Sequence, residues 1–368
     1  MQLLRIVVAV VILTTLACAQ SQSMPQPEVY KVERVLAQTM TAHQIPGASI
    51  GIVMNGTPVW THGYGMADLE GNVVATDATD YRLGSISKPL SAVAAMTLVE
   101  QHKLDLDVPI QKYCPAFPQK QWPITTRQLL SHTSGIRHYK DKDPDTPHWA
   151  ENTKHFNSIT DGLSVFANDS LEFQPGTKFG YSTYGYTVVG CVIEGASGER
   201  FYDYLRHAVL EPADMPHTVQ DNLQPIIPNR ARGYDLLDGH LINAGLMDSS
   251  YKIPGGGLLS NVDDMSHFMV AMMQHKIVSE QTTLMMWTPV KTSDGKTSGY
   301  GFGFGMGDQH GWKTVAHSGG QKGTSTMMFM IPEKQFGVVI LTNLEGQGEA
   351  LHAAAAAIAD DLLQGTIH

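Results

Sequence analysis

Apolar residues recur at helical spacing in two long segments near the start of the chain, residues 29–43 and residues 85–102. The residues that would share one helical face are Val32, Val35, Leu36 and Met40 in the first segment, and Leu90, Val93, Ala94 and Leu98 in the second. Such a stripe is typical of a helix that buries one side. Further helices are predicted at residues 188–196 and, closing the chain, at residues 350–363.

Apolar stretches of strand length lie near both ends of the chain. Residues 48–54 and 58–64 are joined by Asn55-Gly56, a pair typical of a tight β-hairpin. Residues 326–331 and 337–342 are separated by a turn at Pro332-Glu333-Lys334. Between them, residues 110–250 consist mostly of predicted helices and long loops.

This order of elements predicts an α/β fold of the α+β type. We expect one antiparallel sheet, built from both chain ends and flanked by helices, with an inserted mainly helical domain. The predicted sheet domain comprises residues 20–84 and 241–368, and the helical domain residues 85–240. A site would then lie in the cleft between the two.

The N-terminus is typical of an export signal. Arg5 supplies a positive charge, and residues 6–16 form an apolar run too short to span a bilayer. Ala17-Cys18-Ala19 fits the small-x-small cleavage pattern, which predicts a signal peptide over residues 1–19 and a periplasmic or secreted protein. Lipid anchoring at Cys18 is the less favoured alternative, because Thr15 is unusual in that signal. No later apolar run reaches transmembrane length, so stable membrane insertion is not expected.

Composition narrows the class of protein. Of 368 residues, 42% are hydrophobic and 16% charged, which is typical of a globular chain. The formal charge of −10 disfavours nucleic acid and anionic membranes as main partners. After the signal peptide, Cys114 and Cys191 remain, and neither belongs to a CxxC pair. Cys191 lies in an apolar run and is predicted to be buried and inert, so a thiol mechanism has no support.

The sequence Ser-x-x-Lys can place a lysine beside a serine nucleophile when it lies on a helix, where a buried lysine of lowered pKa can take the serine proton. Three such pairs occur, and they are Ser85/Lys88, Ser249/Lys252 and Ser293/Lys296. The third lies in a turn, and the second runs into Pro254 and three glycines, which disfavours a helix. Ser85 alone opens a helical pattern, where backbone donors suit an oxyanion. A plain helix N-cap is the alternative for Ser85.

Two further segments carry candidate chemistry. Residues 179–186 form an aromatic, glycine-rich segment before the helix predicted at residue 188, and alone they are typical of a structural loop. His317-Ser318-Gly319-Gly320 precedes the strand predicted at residue 326. Small residues there would let the backbone approach a substrate, although alone this segment is typical of a turn.

The order of the three segments decides between these readings. A Ser-x-x-Lys helix at Ser85, then Tyr181-Ser182-Thr183, then His317-Ser318-Gly319, resembles the penicillin-binding-protein and serine β-lactamase superfamily. Within this superfamily, the chain resembles the S12 peptidase branch, which contains class C β-lactamases, D,D-peptidases, D-aminopeptidases and family VIII esterases. Residues 82–88, 129–135 and 173–176 support it, and it covers residues from about 27 to 365.

The resemblance implies acyl transfer in two steps. Ser85 would attack a carbonyl, while Lys88 and Tyr181 share the work of moving the proton. The backbone N–H groups of Ser85 and Gly320 would form the oxyanion hole. Ser318 and Gly319 would line the substrate. The implied fold is that of β-lactamases and transpeptidases.

Two positions depart from the family pattern. His317 stands where many relatives have lysine, so its charge is expected to depend on pH near neutrality, with a role toward Tyr181 or a substrate carboxylate. Thr183, a substrate-binding candidate, stands where class C β-lactamases have asparagine. A threonine offers only a hydroxyl, which disfavours efficient β-lactam hydrolysis.

Other candidate sites fail on their own patterns. Asp141-x-Asp143-x-Asp145 begins like a calcium loop but lacks the later glycine and glutamate, so a solvated acidic loop is expected. No His-Glu-x-x-His occurs, and residues 301–305 are predicted as a strand rather than a dinucleotide loop. Residues 327–330, rich in methionine, are predicted core. Neither a metal nor a cofactor is expected.

Three functions follow. The favoured one is a peptidase or amidohydrolase acting on small peptides. An esterase or weak β-lactamase is the alternative, because the same residues serve any acyl transfer. A non-catalytic, filament-forming scaffold is kept open by the resemblance to a filament-forming mitochondrial branch of the family. The expected partners are a small peptide, amide or ester, with a homo-oligomer also open.

Overall fold

The computed structural model describes residues 23–140 and 152–364 of the chain. The predicted signal peptide, including Cys18, and the acidic loop that begins at Asp141 lie outside these residues, so both stay predictions. Within the described ranges, no helix is both long and apolar enough to cross a membrane.

A seven-stranded antiparallel sheet is built from both ends of the chain. The strands are, in chain order, β1 Gly47–Met54, β2 Thr57–Asp68, β3 Val73–Val74, β4 Tyr81–Arg82, β5 Val219–Gln220, β6 Tyr234–Leu237, β7 His240–Asn243, β8 Leu258–Ser260, β9 Gly305–Gln309, β10 Trp312–Gln321, β11 Thr324–Ile331 and β12 Phe336–Thr342. The large sheet has the order β3-β2-β1-β12-β11-β10-β9, while β4-β8-β5 and β6-β7 form two small sheets. The predicted sheet from both chain ends is confirmed.

The turns of this sheet follow the sequence signals. Asn55 and Gly56 have φ of 51° and 68°, as a two-residue hairpin turn between β1 and β2 requires. β11 and β12 are joined by a 3₁₀ turn at Pro332–Lys334 and by Gln335, whose φ is 47°. All residues of β11 are buried, which confirms the predicted methionine-rich core at residues 327–330.

Helices cover both faces of the sheet and fill the inserted region. The α-helices of the described residues are α1 Gln26–Ala42, α2 Ser87–Glu100, α3 Thr126–Leu130, α4 Ile159–Leu163, α5 Thr183–Ser197, α6 Phe201–Leu205, α7 Ile253–Gly256, α8 Val262–Met273, α9 Glu280–Met286 and α10 Gly348–Leu363. Short 3₁₀ turns occur at Gly84–Ile86, Ile110–Lys112 and Ser250–Lys252, and a π turn at Arg206–Leu210. α1 and α10 pack together on one face of the sheet, and α8 packs on the other.

Helix α2 is buried along most of its length, because α5 and α7 pack against it. A disulfide between Cys114 and Cys191 ties α5 to the segment that follows α2. The sequence predicted Cys191 as buried and inert. It is buried, but its pairing was missed, because the partner lies 77 residues away and only the fold brings the two together.

Three local predictions are corrected. Helix α5 begins at Thr183 rather than at residue 188, because the Ser182 hydroxyl caps it by accepting from Gly185 N–H at 2.8 Å. The segment after Ser249 does form one 3₁₀ turn and then α7, because Pro254 falls in the first helical turn. Residues 301–304 are not a strand, since Gly303 has φ of 83°, and β9 begins only at Gly305.

The segment from His317 to Gly320 was predicted to precede a strand, and it lies instead within β10, one strand earlier in the sheet. The predicted domain boundaries at residues 84 and 241 stay predictions. The second of them falls inside β7.

Candidate active site

Ser85 lies in the 3₁₀ turn Gly84–Ile86, directly before α2, and is half-buried. Strand β10 passes close to this turn because glycines face it: a Cβ on Gly319 would come within 2.0 Å of the Leu83 carbonyl oxygen. A Cβ on Gly84 would lie 2.8 Å from the Gly320 nitrogen. A side chain at either position would force the strand away from Ser85. The two glycines therefore allow β10 to lie close to the serine.

Lys88 is completely buried, one helical turn after Ser85. Its Nζ donates to Ser85 Oγ at 3.0 Å, to Thr183 Oγ1 at 3.1 Å and to the Gly255 carbonyl at 2.6 Å. All three acceptors are uncharged. The helix spacing predicted from Ser-x-x-Lys therefore does bring the amine to the serine hydroxyl.

Burial lowers the pKa of Lys88 well below its ordinary value, and the positive charge of Lys252 lowers it further. The aromatic rings of Tyr181 and Tyr186 lie over its Nζ, with centroids at 4.8 Å and 5.7 Å. A neutral amine has only two N–H groups, and its lone pair can accept from the Ser85 hydroxyl and take its proton. Lys88 thus meets the physical requirement for a general base.

Tyr181 precedes α5 and lies beside the same pair. Burial raises the pKa of its hydroxyl above the ordinary value, and a hydrogen bond with Ser85 partly offsets that rise. The phenol therefore keeps its proton at neutral pH. In this position Tyr181 can donate its proton to a leaving group.

His317 is 8% exposed and is held by two hydrogen bonds. Its Nδ1 lies 2.6 Å from the Ser318 carbonyl oxygen and therefore carries the hydrogen, while Nε2 lies 2.9 Å from the Tyr300 hydroxyl and accepts from it. Burial first, and then the charge of Lys88, lower the pKa of His317 to about 3. The expectation that His317 changes charge near neutrality is therefore wrong, because the strand buries the imidazole instead of exposing it.

Thr183 begins α5 and lines a cavity of about 240 Å³ together with Ser85 and Gly320. Its hydroxyl accepts from Lys88, so it positions the amine as well as facing the cavity. Gly255 approaches closely from α7, where a Cβ would come within 2.7 Å of Thr183 Cγ2. A second cavity, of about 650 Å³, is lined by Ser85, Tyr181, His317, Ser318 and Gly320 among others.

Sequence reasoning assigned no role to several residues of this site. Tyr300 lines the larger cavity, whereas Lys252 and Gln321 line the smaller one. His132 packs its ring on Tyr181 at a centroid distance of 4.3 Å, and its pKa is lowered well below the ordinary value by burial, with Lys88 contributing. His132 had a signal in the sequence, since it lies in the segment 129–135 that supports the family resemblance. Lys252 was named only as part of a Ser-x-x-Lys pair that the context disfavoured.

The other two Ser-x-x-Lys pairs do not form a dyad. The Ser249 hydroxyl is buried and donates to Asp221 Oδ2 at 3.1 Å, away from the amine of Lys252. Lys296 is exposed and pairs with Asp294 at 3.0 Å in a turn. The pair that its sequence context favoured, Ser85/Lys88, is the one of the three whose amine contacts its serine hydroxyl. Across residues 23–140 and 152–364, no group of three histidine, cysteine, aspartate or glutamate side chains could hold a metal ion.

A buried amine, a serine hydroxyl and a protonated phenol in one cleft can perform acyl transfer. The beta-lactamase family model matches residues 32–363. The chain belongs to the beta-lactamase family. This membership places it in the superfamily of serine hydrolases that includes penicillin-binding proteins, as the sequence resemblance predicted.

Individual relatives agree with the family assignment. The human mitochondrial serine beta-lactamase-like protein LACTB is 32% identical, in an alignment that covers 78% of this chain and 69% of that protein. The octameric penicillin-binding protein homologue from Pyrococcus abyssi superposes with a TM-score of 0.76 at 28% identity, covering 92% of this chain and 77% of that one. The penicillin-binding protein from Bacillus halodurans gives 0.74 at 26% identity, covering 88% and 98%.

Proposed function

We propose that this beta-lactamase family member forms an acyl-enzyme on Ser85 and cleaves small peptides or related amides. The observation that carries the proposal is the 3.0 Å contact between Lys88 Nζ and Ser85 Oγ inside a buried site. A serine hydroxyl is a weak nucleophile at neutral pH and needs an adjacent base. Lys88, whose pKa is well below the ordinary value, supplies that base.

In the first step, Ser85 Oγ attacks the substrate carbonyl carbon and its proton passes to neutral Lys88. The carbonyl oxygen becomes an oxyanion, which the backbone N–H groups of Ser85 and Gly320 would stabilise. Gly320 supports this assignment because it lines both cavities that contain Ser85.

In the second step, the tetrahedral intermediate expels the amine, which leaves with the proton of Tyr181. Lys88, now an ammonium, returns its proton to Tyr181, so the enzyme is ready for deacylation. Water then attacks the acyl-enzyme and the same groups act in reverse, releasing the carboxylic acid and restoring Ser85.

The protonated state of Tyr181 favours an amide over an ester as the substrate. An amine is a poor leaving group unless it is protonated, whereas a stabilised alkoxide or phenolate leaves with less help. Thr183 contacts Lys88 and offers no amide, which supports a peptidase rather than an efficient β-lactamase.

Two further properties belong to the proposal. Export to the periplasm or beyond is supported by the disulfide between Cys114 and Cys191, because such bonds persist mainly in oxidising compartments.

A homo-oligomer is supported by the octameric penicillin-binding protein homologue and by the exposed apolar residues Leu237 and Ile242 on the β6-β7 hairpin. Light scattering of the purified protein measures the oligomer directly.

A panel of substrates tests the function. The purified protein is assayed against a D-alanine dipeptide, an aminoacyl anilide, a p-nitrophenyl short-chain ester and a chromogenic cephalosporin, each with Ser85→Ala as the matched control. Turnover of the dipeptide or the anilide that is lost in Ser85→Ala supports the peptidase. Activity that survives in the control contradicts the mechanism. Turnover of the cephalosporin alone would contradict the inference from Thr183 that β-lactam hydrolysis is inefficient. Filaments without turnover of any substrate would favour a scaffold.

A further inference from the structure

Strand β10 passes beside Ser85 with alternate residues on the same face. Residues two apart in a strand point to the same side, so His317, Gly319 and Gln321 share the face that approaches the Ser85 turn. Gly319 lies against Leu83, and His317 faces Tyr300. Gln321 therefore extends the site in the direction opposite to His317.

Gln321 is 1% exposed, and neither its Oε1 nor its Nε2 has a hydrogen-bond partner among the residues that the structure describes. Gln321 is among the residues that line the cavity of about 240 Å³, which also contains Ser85 and Gly320. A buried amide that lacks partners on both atoms costs free energy, and proteins rarely keep one without a use. A ligand in the cavity would satisfy the amide of Gln321.

Lys252 lines the same cavity from the turn before α7 and is only 2% exposed. Its Nζ lies 5.3 Å from the centroid of the Tyr139 ring. Burial, and next the positive charge of Arg82, lower the pKa of Lys252 to about 7. An anion bound beside this amine would favour its charged form, so the cavity provides both a neutral donor and an inducible positive charge.

We propose that Gln321 and Lys252 form a subsite for a carboxylate of the substrate, beside the carbonyl group that Ser85 attacks. One carboxylate oxygen accepts from Lys252 Nζ and the other from Gln321 Nε2. Gln321 Oε1 then accepts from an adjacent amide N–H of the substrate. This inference rests on the proposed acyl transfer at Ser85, and it narrows the substrate class to small acidic peptides or N-acylated amino acids.

The neutral state of His317 supports this location for anion binding. With a pKa of about 3, His317 provides no positive charge on its side of Ser85 at neutral pH. Lys252, which is also buried, lines the cavity that contains Ser85 and Gln321 but not His317. A carboxylate is therefore attracted toward the Gln321 end of the cleft and away from the His317 end.

The kinetic test compares substrates that differ only in charge. p-Nitrophenyl esters of succinic, glutaric and adipic acids are assayed as the free acid and as the methyl ester of the second carboxyl. The variants are Lys252→Met and Gln321→Glu, with Lys313→Met, an exposed lysine on the same strand, as the control. We expect the wild type to prefer at least one free acid. Each cavity variant should lower the ratio of kcat/KM for acid over methyl ester about tenfold or more, the loss expected for one hydrogen bond to a charged group.

The subsite would be overturned if both cavity variants left the ratio of kcat/KM for acid over methyl ester unchanged, whether or not the two rates fell together. Gln321→Glu keeps the size of the side chain, so it remains informative if Lys252→Met does not fold. Lys313→Met should leave the ratio as in the wild type.

A binding test separates this inference from the proposed function. In the Ser85→Ala background, calorimetry compares N-acetylalanine with N-acetylalaninamide, which lacks the carboxylate. We expect tighter binding of the acid, lost when Lys252→Met is added. Equal binding of acid and amide overturns the subsite. If the wild type hydrolyses neither these esters nor the dipeptide and anilide of the substrate panel, the acyl-transfer proposal fails, while the calorimetric comparison still decides the subsite.

Discussion

The Tyr300 hydroxyl donates a hydrogen bond of 2.9 Å to His317 Nε2, because the hydrogen of the imidazole is on Nδ1, where it is donated to the Ser318 carbonyl. A protonated imidazole would have to donate through both nitrogens, so the Tyr300 hydroxyl would have to turn and accept from Nε2. Burial and the nearby Lys88 act in the same direction, and the pKa of His317 is about 3. His317 is thus a neutral hydrogen-bonding group.

His317 should therefore not titrate where an ordinary histidine does. In the wild type and in His317→Gln, we expect the same apparent pKa values in the profile of kcat/KM between about pH 5 and 8. Glutamine keeps an acceptor for Tyr300, so a moderate fall in rate without a change in shape is expected. The loss of an inflection near pH 6.5 in His317→Gln would show that the imidazole does become charged in this range.

Lys88 should control the acidic limb of the same profile. Its folded-state pKa is lowered, so the reactive neutral form predominates above that pKa, and activity falls as pH decreases through it. We expect Lys88→Met to lower kcat/KM by about 10²- to 10⁴-fold, the usual contribution of a general base. Thermal unfolding serves as the control for folding. Lys88→Met with an activity close to that of the wild type would eliminate Lys88 as the base.

Tyr181 should matter more for amides than for esters. Tyr181→Phe removes the proton donor but keeps the ring that packs on His132. We expect the rate for an aminoacyl anilide to fall by about 10²-fold or more, within the range for general acid catalysis. The rate for a p-nitrophenyl ester should fall much less, because p-nitrophenolate leaves without a proton. Equal losses for the two substrates would place Tyr181 in the attack step instead.

The linear motifs allowed much of this site to be predicted from the sequence. Ser85 and Lys88 are one helical turn apart, so their proximity follows from a single helix. The hairpin at Asn55 and the strands at both chain ends also followed from local signals. Tyr181 could be assigned to the site only from the order of the motifs, because its distance to Ser85 depends on how α5 packs on α2.

The remaining features depend on tertiary packing, which local patterns do not encode. Gln321 and Lys252 meet in one cavity from elements far apart in the chain. The residue type of His317 suggested a charge near neutrality, but its pKa depends on burial between strands and on the neighbouring Lys88.

Close approach of β10 to Leu83 should make Gly319 intolerant of any side chain. A Cβ at this position would lie 2.0 Å from the Leu83 carbonyl oxygen and 2.2 Å from Thr326 Oγ1. We expect Gly319→Ala to lower the free energy of unfolding by about 1–3 kcal/mol, the usual cost of overpacking. Gly320→Ala is the matched comparison, because a Cβ there would meet nothing within 4 Å. Chemical denaturation measures both, and equal losses would contradict the steric argument.

The disulfide between Cys114 and Cys191 should stabilise the helical region without taking part in the chemistry. It closes a long loop, with a separation of 77 residues, and so restricts the unfolded chain. We expect the double variant Cys114→Ala/Cys191→Ala to lose about 2–4 kcal/mol of unfolding free energy. Reduction of the wild type by dithiothreitol should have a similar effect, while reduction of the double variant should have none. Because neither cysteine lines the cavities that contain Ser85, kcat/KM at 25 °C should stay near the wild-type value as long as the variant is folded. A reductant-insensitive wild type would mean that the bond does not form in the purified protein.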